Sequence, residues 1–546
     1  MILIKIILFP ISIFILNFVF KKYTSRLRNA PTPKKGNFWI TQLGLVPPPS
    51  DGKDTLSEFL IHVGQDVNQS PISVCYSLMG TPLVLVNTLK GIKDVLINGQ
   101  AKNKKTSPCV QRGDLIRRIQ NLVFGGPSIN NTIGEDWKWR RHILLPPFQP
   151  RQLVPKLLPY VSSQANNLLK IFEQYELKKA PLEMDNVFTD LTMNVINFYL
   201  YGRSDLNYDI VGGRSNLKKE HLKLGLGFQS IQTWLPFGIN KTDWAQQSFK
   251  PSRELLKSFI RDSLNRVQGE YEQLQQNNKK TDDYHCVAAA ALASGKYNHD
   301  REELVNDLLS LTFAGYDTTA HTLSFCFSEL ARDPQLQERV FQQVRQVLGP
   351  PSTFKDNDDF SSYITPEKLA RLTLVTAVYK ETLRKYPAVV FIPVHVNRDI
   401  LVDGVVVPGG AEIWCNIRGI QMNPSIFPHP EEFNIDRWLV SSKENDSIDV
   451  DQGFDTMNQN NNNNNKEENK PITPETQYLF PDITFTLGQH ACLGKNLAIL
   501  ELRTVIATVI NQFTFSLQPG NKIETKIVLT TKPKNGVWIN FVKRKD

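Results

Sequence analysis

A chain of 546 residues, 41% hydrophobic and 21% charged, is long enough to bury a large core, and length alone suggests three or four domains. Its 63 basic residues against 54 acidic ones leave a net charge of +9, which suits an anionic surface or partner; nothing in the sequence suggests nucleic-acid recognition. Six cysteines, at 75, 109, 286, 326, 415 and 492, form no disulfide framework and fit a reducing compartment.

Residues 1–20 are apolar apart from Lys5, Pro10, Ser12 and Asn17, and about 20 such residues span a bilayer core. Lys21, Lys22, Arg26 and Arg28 follow at once, so the rest of the chain is expected on the cytosolic side. No small-residue cleavage site precedes the basic cluster, which favours an uncleaved transmembrane signal anchor. Residues 21–36, with Pro31, Pro33 and Gly36, make a short basic linker. Two strands are predicted at 74–78 and 83–87 around a Gly80-Thr81-Pro82 turn, then a helix from Leu89 to Ile97.

In Gly134 to Phe148, Trp137 and Arg141 stand four apart. They share a helix face from which an indole N–H and a guanidinium can reach carboxylates; Trp139 and Arg140 face elsewhere. An exposed basic amphipathic helix is the plainer reading. Helical periodicity returns at 155–175. Phe228 and Trp234 to Phe237 are either an apolar access region or core.

Arg301 to Arg332 reads as one helix of roughly 45 Å, capped by Asp300 and stopped by Asp333-Pro334. Gly315, Asp317 and Thr318 interrupt its apolar interior. Either Thr318 is back-bonded in a kinked core helix, or the segment is a groove over a flat cofactor, where the missing side chain leaves room for dioxygen. Glu381 and Arg384 share a face at i, i+3, and Arg437 follows in PEEFNIDRW. His395 lies on the predicted strand FIPVHV. A strand pair at 405–407 and 412–416 flanks Pro408-Gly409-Gly410. Residues 441–476, with asparagines 460–465, lack the apolar content to order themselves, so a disordered surface insertion is expected.

The most specific segment is FTLGQHACLG, Phe485 to Gly494. Cys492 sits ahead of a helical run, a setting that lowers a thiol's pKa, and a metal would deprotonate it outright. Gly488 and Gly494 permit a tight turn and close approach of a flat ligand, and Phe485 can shield the sulfur. A buried free cysteine is the plainer alternative; with no C-x-x-C pair, zinc is disfavoured.

This loop resembles the haem-binding F-x-x-G-x-R-x-C-x-G segment of the cytochrome P450 family, with His490 in place of the arginine. AGYDTT (314–319) resembles the family's oxygen-activation motif. Glu381, Arg384 and Arg437 resemble its structural triad, and Trp137 with Arg141 its W-x-x-x-R pair. All four occur in family order, over roughly 32–544. The resemblance implies a mostly α fold with a smaller β-rich lobe (α+β), one domain over 37–546 carrying the 441–476 insertion, and haem buried between the long helix and the cysteine loop.

It further implies haem b ligated by Cys492, with Phe485, Gly488 and Gly494 shaping the loop. Propionates would be met by Trp137, Arg141, His490 as a pH-sensitive partner, and His395, with Arg398 the other candidate. Protons would come through Asp317 and Thr318. The implied reaction is monooxygenation of a lipophilic small molecule. The sequence has no G-x-G-x-x-G nucleotide fingerprint, so electrons are expected from a separate NADPH-dependent diflavin reductase, landing near Lys138, Arg140 and Lys495, at the endoplasmic reticulum membrane. A peroxide isomerase or dehydratase, or a non-catalytic haem sensor, remains open, although the intact Asp-Thr pair argues against both.

Overall fold

The computed structural model describes residues 25–27, 30–31, 55–65, 70–76, 82–99, 108–203, 216–229, 239–276, 284–350, 363–439 and 483–545. The anchor at 1–20, most of the 21–36 linker, the 441–476 insertion and residues 234–237 lie outside the described residues. Among the described residues no helix is long and apolar enough to cross a membrane.

The principal helices in chain order are α1 (Thr55–Gln65), α2 (Asp114–Phe124), α3 (Gly134–Leu144), α4 (Pro150–Leu177), α5 (Met184–Tyr201), α6 (Asn216–Gln229), α7 (Lys250–Gln276), α8 (Arg301–Arg332), α9 (Pro334–Leu348), α10 (Thr373–Lys385) and α11 (Lys495–Gln512). Helix α8 is the hub, packed against α5, α7, α10 and α11. Asp300 caps it by accepting from Glu302 N at 2.8 Å, and Asp333 leaves α space to cap α9 through Leu336 N at 2.9 Å. From Leu304 to Ala331 α8 is buried except at Ala314, Gly315, Asp317 and Thr318. A helix enclosed on all sides must be apolar nearly all round; the interruption marks where its surroundings open.

A five-stranded sheet forms the smaller lobe: β1 (Ile72–Tyr76), β2 (Pro82–Val86), β3 (Val110–Arg112), β4 (Ile392–Val396) and β5 (Glu412–Cys415), in the order β1-β2-β5-β4-β3. Its first strand begins two residues before the predicted one. The pair predicted around Pro408 does not form. Residues 405–407 pair with 400–402, while β5 runs parallel to β2 and antiparallel to β4. Local turn signals cannot show which distant strand a segment joins. In the β3–β4 register Arg112 faces Val394 and Gln111 faces His395.

The Glu381 cluster is closed. Arg384 Nη2 and Nε meet Glu381 at 2.8 and 2.9 Å, Arg437 Nε at 3.3 Å, Asn434 N at 3.0 Å and Trp438 Nε1 at 2.9 Å. Arg384 also donates to the carbonyls of Gln421 and Glu432, each at 3.0 Å. With Glu381 at 0% and Arg384 at 1% exposure, only such full pairing offsets the desolvation of the charges. The cluster pins the 432–438 turn to α10. Trp438 escaped the sequence reading.

Candidate active site

The loop before α11 is folded by its own backbone. Cys492 N donates to Phe485 O at 2.7 Å, closing a turn in which Gly488 takes φ +73°, a conformation costly for residues with a Cβ. Gly494 precedes α11, and a Cβ built there would meet no atom within 4 Å. Of the six cysteines, Cys492 alone is exposed, and it opens onto a cavity of about 380 Å³. That volume lies within the usual range for ligand sites of ~300–1,000 Å³. Burial pushes the thiol above its usual pKa, opposed by the backbone N–H groups of Gly494 and Lys495 and the charges of Arg141 and Lys495. A bound metal ion would reverse the balance.

Across the cavity stands α8, from Ala314 to Thr319, and the side walls come from Ile116 and Gln120 of α2, Val389, Phe391 and Val394. Thr318 faces the space with its hydroxyl donating to Ala314 O at 3.1 Å, so it is both back-bonded and on the cavity wall. Asp317 is not on the cavity wall. It pairs with His321 Nε2 at 3.2 Å and accepts from Thr530 Oγ1; those contacts hold its carboxyl below the usual range against burial. Gly315 also lines the cavity, and a Cβ there would lie 2.7 Å from Ile196, so its missing side chain serves the packing of α5 as well.

One end of the cavity is cationic. Arg112 and Arg141 both line it, with His490. Arg112 Nε donates to His490 Nδ1 at 3.2 Å and its Nη1 donates to Asn130 O. Trp137 packs on the His490 ring, centroids 4.0 Å apart, and Arg141 lies 5.9 Å from the Trp137 ring. Neither guanidinium has a carboxylate partner among the described residues. Burial and the charge of Arg141 push Arg112 down to about 10, and burial lowers Arg141. Trp137 Nε1 is buried without a hydrogen-bond partner. Two uncompensated cations on the wall of one cavity, with an unpaired buried donor beside them, are costly unless an anion compensates them.

His490 is pushed down to about 2 by burial and the two arginines. With its Nδ1 accepting from Arg112, it stands as a neutral hydrogen-bonding ring, the second of the two forms open to a histidine at this position. The guanidinium absent from the loop is supplied by Arg112, which sequence reasoning missed: its only signal was a basic residue on a short strand ahead of the Trp-x-x-x-Arg helix. Trp139 and Arg140 do face away. Arg140 is buried against Asp307 and Glu303, each at 2.8 Å, which removes it from the expected landing patch.

His395 does not reach the site. The cavity wall along this strand ends at Val394, and His395 is held by its cross-strand neighbour, with Nδ1 2.9 Å from Glu412. Arg398 places Nε 3.2 Å from Cys109 Sγ, also off the cavity wall. Glu501 of α11, a further residue missed, is wholly buried beneath Thr319. Neither oxygen makes a well-formed hydrogen bond, though the Thr319 hydroxyl approaches, and burial raises its pKa far above the usual value.

The long central helix, the sheet lobe and a cysteine loop facing an anion-seeking cavity define a haem-thiolate class of protein. The cytochrome P450 family model matches residues 65–539; the chain belongs to the cytochrome P450 family. Human mitochondrial sterol 26-hydroxylase is 30% identical over 257 residues, 46% of this chain and 40% of that protein. Rat cytochrome P450 3A18 is 24% identical over 430 residues, 76% and 75% of the two chains. The chain matches less than half the length of the human protein and of fruit-fly cytochrome P450 4d8. Among solved structures, retinoic acid-bound cyanobacterial CYP120A1 superposes with a TM-score of 0.63 at 19% identity, covering 88% of this chain and 93% of that one.

Family membership implies a haem held by a cysteine thiolate, and the residues fit it. Cys492 would supply the sulfur, and Arg112 and Arg141, at one end of the same cavity, would meet the group's acidic substituents.

Proposed function

We propose that the protein is a haem-thiolate monooxygenase that hydroxylates or otherwise oxidises a lipophilic small molecule. The observation that carries this reading is the cavity itself, with Cys492 on one wall, the Thr318 hydroxyl on the opposite one and uncompensated cations at its end. Haem b fits the donor set: Cys492 would ligate its iron, and Arg112, Arg141 and Trp137 would hold its propionates. Bound there, the haem supplies dioxygen activation, which thiolate ligation favours.

The chain's own groups do the rest. Phe485 and Gly494 front the sulfur side. Thr318 Oγ1 holds a proton at the opposite wall, one residue from the carboxylate of Asp317. Val389, Phe391 and Ile116 give an apolar chamber suited to a lipophilic substrate, in keeping with the sterol and retinoid named for two relatives. Electrons come from NADPH through a separate diflavin reductase, with Lys138 and Lys495 left as its basic contacts. Residues 1–20 would anchor the domain, 37–546 with its 441–476 insertion, to the endoplasmic reticulum membrane. The alternatives, peroxide isomerisation and haem sensing, do not use the Thr318 wall.

NADPH-dependent oxygen uptake with reductase, compared with turnover of peroxide alone, separates the three. Cys492→Ser should abolish the thiolate signature of the ferrous–CO spectrum, and a variant that kept it would refute the ligand assignment. Thr318→Ala should keep haem and spectrum while hydrogen peroxide replaces product, because general-acid assistance is worth about 10²–10⁴-fold. An unchanged peroxide yield per NADPH removes Thr318 from the mechanism.

A further inference from the structure

Arg140 of α3 and Asp307 of α8 are both 0% exposed, and the monooxygenase reading uses neither. Asp307 Oδ2 meets Arg140 Nη1 at 2.8 Å and accepts from the Tyr297 hydroxyl at 2.8 Å. Arg140 also reaches Glu303 at 2.8 Å and Asp136 at 3.3 Å, and its guanidinium lies 4.5 Å from the Trp139 ring. These charges close within the chain, unlike those of Arg112 and Arg141. The second oxygen of Asp307 does something different. It accepts from Ile129 N, in the connection between α2 and α3. Burial pushes the Asp307 carboxyl up to about 6, against the pull of Arg140, Tyr297 and the Ile129 amide.

Ile129 and Asn130 both line the cavity. Within the connection, Asn131 Oδ1 accepts from Ser128 N at 2.7 Å and Thr132 Oγ1 donates to Ser128 O at 2.8 Å. Those bonds fix the shape of the segment, whereas the bond to Asp307 fixes its place against α8. One residue past the anchored amide, Asn130 O accepts from Arg112 Nη1 at the cationic end of the cavity. We propose that Asp307, held by Arg140, is a positioning residue for Arg112: it fixes Ile129 N, thereby places the Asn130 carbonyl, and so aims the Arg112 guanidinium into the cavity. An ionised acceptor grips an amide more firmly than a neutral one, and Arg140 is what keeps a wholly buried carboxylate ionised. Asp307 stands 195 residues from Arg112 in the sequence, and no local pattern connects them.

This rests on Arg112 meeting an acidic group of the haem, and its test is haem affinity of the full chain, measured by transfer to an apo-acceptor protein. Asp307→Ala should weaken haem binding by roughly 10-fold, the scale of one lost charge-assisted hydrogen bond. Adding it to Arg112→Leu should cost nothing further, because a residue that acts through another is not additive with it. Asp307→Asn still offers an oxygen to Ile129 N but loses the charge facing Arg140, so its thermal midpoint should fall while haem affinity stays near wild type. Resonance Raman bands of the haem propionates should shift in Asp307→Ala as they do in Arg112→Leu. Wild-type affinity in Asp307→Ala overturns the proposal, as do losses that multiply in the double variant. An affinity loss in Asp307→Asn that follows its lost stability places Asp307 with the scaffold and also overturns it. If Asp307→Ala does not fold, Asp307→Ala combined with Arg140→Met, which leaves no stranded cation, carries the same comparison. Wild-type affinity in Arg112→Leu would refute the assignment of Arg112 to the haem and the proposal with it. A loss there without one in Asp307→Ala refutes only the link from Asp307 to Arg112.

Discussion

Two clusters of buried and half-buried cations, built from the same residue types, behave in opposite ways. Around Glu381, two guanidiniums, an indole N–H and a backbone N–H converge on one carboxylate. Around His490, which accepts from Arg112 and packs on the Trp137 ring, two guanidiniums line an open cavity and the indole N–H has no partner. The first is complete within the chain and contributes rigidity. The second is complete only with an anion, and its charge surplus is the mark of a binding site. Motif matching treats both as family signatures; accounting for partners separates scaffold from site.

The largest effect should come from breaking the closed cluster. Glu381→Ala strands two arginines in the interior, and loss of one partner of a buried pair costs about 3–5 kcal/mol. Little folded, haem-loaded protein should be recovered, as judged by circular dichroism and the Soret absorbance per protein. Near-normal recovery would mean the cluster is not structural.

Arg112→Leu should do the reverse. Removing an uncompensated cation should leave the haem-free thermal midpoint unchanged or higher, while haem affinity falls. A charge-assisted hydrogen bond worth about 1.5–3 kcal/mol corresponds to roughly a 10–150-fold loss, measured by haem transfer to an apo-acceptor protein. If the haem-free protein is destabilised instead, Arg112 belongs with the scaffold and the comparison collapses.

A smaller effect concerns a closed cluster whose cation titrates, His321 between Asp185 and Asp317. His321 is raised from 6.5 to about 10 in the folded protein, so its contribution is fully present below about pH 6.5 and is lost as pH rises toward 10. Thermal midpoints should fall across that window in wild type, with a weaker slope in His321→Gln. Equal slopes would place the loss in other groups.

The smallest effect is expected at His395. With its Nδ1 on Glu412, His395→Leu should leave haem affinity and spectrum unchanged and cost only a little thermal stability. A marked loss of haem affinity would return it to the propionate set.

Features that are local along the chain were legible before any distant contact was known. The span of α8 follows from its caps, the cysteine loop from glycine spacing and the amide of Cys492, and the Trp137–Arg141 face from helical periodicity. Glu381 and Arg384 were legible for the same reason, since i, i+3 spacing places partners together without reference to the rest of the fold. The rest depends on strand register and on partners far apart in sequence. Pairing of β3 with β4 brings Arg112 opposite Val394, and pairing of β4 with β5 brings Glu412 to His395. Packing of α5 against α8 gives Gly315 a second role and brings Asp185 to His321. A turn near the C-terminus supplies Thr530 to Asp317. Sequence periodicity gives the face a side chain takes within its own element, but not which element comes to meet it; here that meeting fixes which charges are satisfied and which await a ligand.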